Sequence, residues 1–358
     1  MNILSIVIYF SRRLYLRSSR IANNNRWKKK IKEKLKTKGS IKLTSSQKRE
    51  IKKYYSTIYN GKVSTLWHQY FLNCTGVFGV DYLPEDLFYG KIEPNLIRKE
   101  YFPALSDKNL LDVLFPNVKK PETLVKNING FYYANGRIID KTEVLKICDN
   151  TGSMIIKPTL DSGGGKNVRL FENRGGITDQ DNLTMDQLLA DYKMDFIIQE
   201  VMEQHPMMSA LNESSLNTFR VMTYLSGKNV MVLSSLVRIG RKGAFTDNST
   251  QGGVSCGITS DGKFKEVGYH LNTGDRILET DGGLKFKGLV LPFTGKVLNK
   301  AKELHMSAPY FRLISWDLSV TPSEEVALIE YNLRGQDISF HQLDNGPVFA
   351  PLLQDIKL

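Results

Sequence analysis

From residue 154 onward the hydrophobic positions fall in short runs of strand length. "MIIKP", "VRLF", "DFIIQEVM", "TFRVMTYL", "VMVLSSLVRIG", "RLISWDLSV" and "VALIEYNL" each predict a β-strand. Two stretches with helical spacing interrupt them, "MDQLLADYK" after Thr184 and "LPFTGKVLNKAKELH" after Gly288. Upstream, residues 63–150 mix short helical patterns with Pro and Gly breaks. One of these, "LSDKNLLDVLFP", predicts a helix that starts after Ser106 and ends before Pro116. Earlier still, "SSQKREIKKYYSTIYNG" predicts a polar helix capped at Thr44 or Ser45 and stopped at Gly61. The alternation of strands with helices, without an internal repeat, is that of an α+β or α/β enzyme rather than a bundle or a sandwich.

A chain of 358 residues suggests two or three structural units and is long enough for a full core. Its three cysteines, Cys74, Cys148 and Cys256, are odd in number and widely spaced, which argues for a reducing compartment rather than a disulfide framework. No CxxC, HExxH or Cys/His cluster points to zinc. Cys256, within "GGVSCG", reads either as a nucleophile or, more simply, as a small buried thiol.

Charge divides the chain. Residues 1–62 hold 18 Lys and Arg against two acids, Glu33 and Glu50, whereas the remainder holds 31 basic and 35 acidic residues. The net charge of +12 therefore comes from a basic, amphipathic N-terminal arm over residues 1–62. Its apolar start, "MNILSIVIYF", is too short to span a bilayer and precedes its charges, unlike a signal peptide. An apolar tip followed by "RWKKKIKEKLKTK" suits the inner face of the plasma membrane. A solvated charged helix is the plain alternative. Nucleic acid is not expected as a partner, because few aromatics accompany the charges and no nucleic-acid module is present. The expected location is cytoplasmic and peripheral to the membrane. Oligomeric state has no signature in the sequence.

The stretch "MIIKPTLDSGGGKNVRLF", residues 154–171, joins two predicted strands through a glycine loop, with Lys157 where the first strand emerges. Such a unit leaves backbone N–H groups free to hold phosphate beside a lysine. Taken alone it also fits an ordinary hairpin with a surface lysine. In "SWDLSVTPSEEVALIEYN", Asp317 lies on one strand and Glu330 and Asn332 on the next, across a turn at residues 321–325. Alternation puts Glu330 and Asn332 on one face, and hairpin pairing can bring Asp317 beside them. Two carboxylates and an amide oxygen are hard ligands suited to Mg²⁺ bridging nucleotide phosphates. A solvated acidic hairpin is the alternative, but "VALIE" is too apolar for an exposed strand.

Asp107–Lys108, "IIKPTLDSGGGKNV", "FIIQEVMEQHP", "LNTFRVMTYL" and the acidic hairpin follow one another in order. Over roughly residues 100–358 they resemble the ATP-grasp enzymes, and among them the ATP-grasp proteins associated with sugar transfer in surface-polysaccharide synthesis. The resemblance implies an α+β ATP-grasp fold, two subdomains gripping ATP, with ATP and Mg²⁺ as cofactors. Lys108 and Lys157 would be the two nucleotide lysines. Ser162, Gly163, Gly164 and Gly165 would form the flexible loop over the phosphates, with Lys166 acting in the chemistry. Glu200 would meet the adenine amino group, and the Val201–Met202 backbone the ring edge. Asp317, Glu330 and Asn332 match the metal ligands. Expected boundaries are an N-terminal α/β region over 63–150, a small subdomain over 151–205 and a C-terminal subdomain with the metal site over 206–358.

The chain also departs from the pattern. Carboxylate–amine ligases carry an arginine two residues before the metal-binding aspartate, where this chain has Ser315. Arg220, Arg238 or Arg241 would take over its role. No residue matches the usual ribose-binding carboxylate; Glu203 or His205 would serve, and His205 also reads as a helix-start residue before Pro206. In "DNSTQGG", Asp247, Asn248, Gln251, Gly252 and Gly253 would face the γ-phosphate and acceptor, unless the stretch is only a mobile surface loop. The implied reaction is ATP-dependent carboxylate–amine ligation through an acylphosphate, joining an amino-acid-like group to a saccharide that is free or lipid-linked. The alternative is a phosphotransferase using the same nucleotide site.

Overall fold

The computed structural model describes residues 25–160, 165, 167–179 and 182–356. Two antiparallel sheets organise the body. The first contains β1 (Thr123–Ile128), β2 (Phe131–Ala134), β3 (Arg137–Ile139), β4 (Met154–Pro158) and β5 (Arg169–Phe171). A small hairpin, β6 (Asn173–Arg174) and β7 (Ile177–Thr178), precedes its last strand, β8 (Phe196–Glu200). The spatial order is β3-β2-β1-β8-β4-β5. The second sheet holds β9 (Thr218–Ser226), β10 (Asn229–Ile239), β11 (Val254–Ile258), β12 (Phe264–His270), β13 (Arg276–Ile277), β14 (Leu313–Val320) and β15 (Val326–Asn332). Its order is β13-β12-β11-β10-β9-β14-β15.

The smaller sheet buries Val125, Met154, Ile156 and Ile198 against Val144, Cys148 and Leu188 of two helices, Lys141–Asp149 and Met185–Tyr192. The second helix starts where Thr184 and Gln187 cap each other's backbone reciprocally. In the larger sheet, Val221 and Trp316 pack on Val297 and Ala301 of the helix Thr294–His305. Elsewhere Met222, Tyr224 and Leu313 are covered by Ile51, Tyr55 and Phe88 from the N-terminal part and by Phe349 and Leu352 from the C-terminal end. All three cysteines are buried, and burial pushes the Cys256 thiol well above its ordinary value, so the buried-thiol reading describes it.

The strands expected from residue 154 onward form close to their predicted limits. The region before them differs from its reading. Residues 123–139 form β1–β3, so the stretch 63–150 supplies half the strands of the smaller sheet. Its turns are Asn129–Gly130 and Asn135–Gly136, all four residues with positive φ. Asn-Gly at a two-residue hairpin turn is the sequence signal for this arrangement. "LSDKNLLDVLFP" is shorter in helix than expected: a tight turn at Lys108–Leu110, capped by Asp107, runs into Leu111–Leu114.

The basic N-terminal segment is packed on the body from residue 25. A helix over 25–38 buries Trp27 and Ile31, one turn apart, against Trp67, Tyr70 and Phe71. Lys28, Lys29, Lys32 and Lys36 lie on its exposed side. The following helix, Ser45–Ser56, starts at Thr44 with a capping box to Gln47 and buries Ile51 and Tyr55. The apolar tip falls in residues 1–24, outside the described residues. No described helix is long and apolar enough to cross a membrane.

Candidate active site

Strand pairing assembles the centre of the site. Arg220 on β9 lies opposite Asp317 on β14, and Asp317 lies opposite Glu330 on β15. Ser315 faces Asn332 in the same ladder. Between Asp317/Glu330 and Leu318/Leu328 the register slips by one residue, a β-bulge at Ile329. The Arg220 guanidinium grips Asp317 with two hydrogen bonds, Nε to Oδ1 at 2.8 Å and a terminal nitrogen to Oδ2 at 2.7 Å. Asn332 Nδ2 donates to the same Oδ2 at 3.2 Å, and Arg238 stands 3.5 Å from it. Burial alone would raise the Asp317 carboxyl, but the two guanidiniums outweigh it and hold the group below the ordinary carboxylate range. Arg220 also reaches Asp337 Oδ2 at 3.4 Å.

Lys108 and Lys157 approach this centre from the smaller sheet's side. The Lys108 N–H donates to Thr159 O at 3.2 Å, tying its turn to the end of β4, and its Nζ stands 3.2 Å from Glu330 Oε1. Lys157 projects from β4 beside Lys108 and Glu330. Burial first, then the charge of Lys108, pushes Lys157 down to about 8, with Glu330 opposing. A separate cavity of about 390 Å³ opens at the end of β8. Ile155, Leu170, Leu216 and Phe245 give it apolar walls, while Val201, Met202 and Glu203 form its strand-like edge. Apolar walls beside a polar strand edge are of the kind that takes a flat ring.

The structure separates the remaining candidates. Glu200 ends β8 with its side chain exposed, and its N–H donates to Glu122 O at 3.0 Å. His205 caps the turn Pro206–Ser209, accepting from the Met207 N–H through Nδ1 at 3.2 Å, so it is the helix-start residue. Asp247 pairs with Arg238 at 2.8 Å and accepts a hydrogen bond from Thr218, while Asn248 accepts another from Arg238. Gln251 instead accepts from Thr246 Oγ1 at 3.0 Å, at the loop's exposed edge. Gly252 adopts positive φ. A Cβ on Gly253 would sit 2.3 Å from Asp247 O, so only glycine fits there. Arg241 is held by Asp281 at 2.8 Å and is not brought to Asp317. Ser162, Gly163, Gly164 and Lys166 lie outside the described residues. Gly165, with φ of 72°, lies against the Asn248 amide and joins Arg220, Arg238, Asp317, Glu330 and Asn332 around a cavity of about 340 Å³.

Three sets of residues escaped the sequence reading. Glu213 lines the cavity beyond β8 and is a carboxylate within its reach, which no spacing rule from β8 singled out. Arg334 and Asp337, in "NLRGQD", line the cavity around Asp317; their closeness to Asn332 in the sequence was the available signal. Arg26, Trp27 and Lys30 line a neighbouring cavity of about 580 Å³, which no local pattern could show.

Asp317, Glu330 and Asn332 fit a Mg²⁺ site by their chemistry. All are oxygen ligands on one sheet face, and Glu330 is one-third exposed toward the cavity. Among the described residues no cluster of three or more His, Cys, Asp or Glu forms a metal cage. Waters and phosphate oxygens would complete the coordination of an ion held by so few side chains.

The family is recorded in the sequence itself: residues 90–358 match the sugar-transfer associated ATP-grasp family, and the chain belongs to it. No curated protein matches the chain. Among solved structures it is similar to an L-amino acid ligase from Bacillus licheniformis, at 10% identity and TM-score 0.38, over 70% of this chain and 48% of the other. A biotin carboxylase from Campylobacter jejuni gives 10% and 0.41, over 74% and 48%. The N5-carboxyaminoimidazole synthetase from Staphylococcus aureus, complexed with ADP, gives 8% and 0.38, over 68% and 52%. The chain thus spans about half the length of these structures, and at such scores they add nothing to the family match.

Proposed function

We propose that the protein is an ATP-dependent carboxylate–amine ligase that works through an acylphosphate and joins an amino-acid-like amine to a sugar carboxylate in surface-polysaccharide synthesis. The observation that carries this reading is the bidentate Arg220–Asp317 pair beside Glu330 and Asn332. The arginine absent at Ser315 comes to the same carboxylate from the neighbouring strand. In this reading Arg220 and Arg238 hold the charge of a phosphoryl group in transfer. Lys108 and Lys157 neutralise the remaining phosphates, and the cavity beyond β8 takes the base. Mg²⁺ held by Asp317, Glu330 and Asn332 would supply charge neutralisation between the β- and γ-phosphates.

The substrate carboxylate oxygen attacks the γ-phosphorus and the bond to ADP breaks. The amine nitrogen then attacks the acyl carbon, the carbon–oxygen bond to phosphate breaks, and the amine loses a proton. The exposed lysines of helix 25–38 and the apolar segment before it support contact with an anionic membrane surface. Vesicle sedimentation of the chain with and without residues 1–24 tests that contact.

Following the γ-phosphate tests the reaction. With ATP, Mg²⁺, a uronic-acid saccharide and amino acids, ADP and free phosphate should appear in equal amounts with an amide. Hydroxylamine should trap the intermediate as a hydroxamate. A phosphorylated saccharide as the main product, with no hydroxamate, would replace the ligase with a phosphotransferase on the same fold.

A further inference from the structure

The cavity of about 580 Å³ adjoins the reaction centre and shares Glu330, Asn332, Arg334 and Asp337 with it. Its far wall comes from a different part of the chain, Arg26, Trp27 and Lys30 of helix 25–38, together with Tyr89. This helix precedes the family match, which starts at residue 90. The wall is rigid. Trp27 stacks on Tyr89 with centroids 4.6 Å apart, Lys30 Nζ lies over the Trp27 ring, and Lys30 is fixed by buried Glu85 at 2.8 Å. The buried Trp27 indole N–H has no acceptor among the described residues.

The lining brings four cations, Arg26, Lys30, Lys108 and Arg334, against the carboxylates Glu93, Glu330 and Asp337. Burial pushes Glu93 up to about 7, against the Gly335 N–H that donates to it, so it carries only part of its charge at neutral pH. Lys108 and Glu330 face the nucleotide and metal in the proposed function. What remains for a second substrate is Arg26, Lys30 and Arg334 set against Asp337 and a partly charged Glu93, with an aromatic flank.

We propose that helix 25–38 is the acceptor-binding wall of the active site, and that the cavity selects an anionic sugar, with Arg26 and Arg334 holding its carboxylate or phosphate and Trp27 and Tyr89 bordering its ring. This rests on the ligase reading and names the class of its saccharide substrate. It gives the basic N-terminal segment a second use, substrate selection on its inner side, distinct from any membrane contact on its outer side. Aromatic side chains beside a charged group suit a sugar, whose ring offers apolar C–H faces and whose substituent offers the charge.

The test is calorimetric titration of the full-length protein, in the presence of saturating ADP and Mg²⁺, with glucuronate, glucose 1-phosphate and uncharged glucose. At least one anion should bind and glucose should not; which anion binds distinguishes a carboxylate from a phosphate as the recognised group. Arg26→Ala should weaken anion binding by about tenfold, the effect of losing one charge-assisted contact, and Arg26→Glu should abolish it. ADP affinity should be unchanged in both. Lys29→Ala, on the exposed side of the same helix, should bind as the unaltered protein does and so separate local recognition from net charge. Equal binding of glucose and the anions, no anion binding at all, or unchanged binding in Arg26→Glu would each overturn the proposal while leaving the nucleotide site intact. Failure to bind ADP would strike at the proposed function instead, and the same titrations without nucleotide would still decide the cavity.

Discussion

The two sheets bring opposite electrostatics to the cleft between them. Lys108 meets the carboxylate of Glu330, and burial beside it holds the Lys157 ammonium below its ordinary value. Across the cleft, Arg220 and Arg238 are matched by Asp317, Asp247 and Asp337 in a closed set of ion pairs. One side holds a buried lysine whose charge burial disfavours; the other is a balanced network, which in the proposed function exchanges partners when metal and substrate arrive. In that reading binding and chemistry are sensitive to different substitutions, because a desolvated cation costs stability until its ligand comes, whereas a matched one stabilises the resting fold.

The sharpest way to break this contrast is Asp317→Asn. It should lower ATP-dependent turnover by about a thousandfold, and it should also destabilise the fold by about 3 kcal/mol, since two buried guanidiniums lose their shared carboxylate. Thermal melting and phosphate release measure the two effects. Glu330→Gln, at a one-third-exposed position, should match the turnover loss with little change in melting. Equal melting of both variants would show that the network is not a structural unit.

On the opposite side, Lys157→Ala should weaken ATP binding by about thirtyfold without lowering the melting temperature, because it removes a desolvated cation. A clear loss of stability would mean that Lys157 belongs to the folded framework rather than to the ligand.

The pH dependence of ATP affinity refines the point. Lys157 is charged below about 8 and neutral above it, and phosphate favours the charged form. Affinity should be full below pH 8 and fall above it, by at most about tenfold per pH unit, as binding comes to require proton uptake. Lys157→Arg should flatten this profile. A smaller change is expected of Glu213→Gln. If its carboxylate meets the ribose, ATP affinity should drop about fivefold while turnover at saturation stays unchanged.

Much of the fold was legible because its signals are local. Thr184 with Gln187, and Thr44 with Gln47, mark helix starts by reciprocal capping, and the apolar runs from Met154 onward match strands buried on at least one face. The hairpins at Asn129–Gly130 and Asn135–Gly136 were also written locally but were overshadowed by neighbouring helical patterns. Motif order named Lys108, Lys157, Asp317 and Glu330, which the structure brings together. The site was not legible where strand register decides proximity. Nothing in the sequence ranks Arg220 above Arg241, yet pairing places Arg220 opposite Asp317 and leaves Arg241 with Asp281. Trp27 lies more than three hundred residues from Asn332 along the chain, and only tertiary packing brings both to one cavity.

The bulge at Ile329 acts as a phase shift in β15. Strict alternation would put Leu328 and Glu330 on the same side, but the slipped register pairs Leu328 with Leu318 and Glu330 with Asp317, residues that point to opposite sides. Leu328 can thus be sealed in the core while Glu330, two positions on, faces the cleft. One surplus residue uncouples the part of the strand that answers to packing from the part that answers to ligand. Deleting Ile329 would leave Leu328 and Glu330 adjacent and on opposite faces, so a regular ladder would keep both pairings and lose only the bulge. A deletion at Tyr331 would do the harm instead, because it would make Glu330 and Asn332 adjacent and turn one of them away from the cleft.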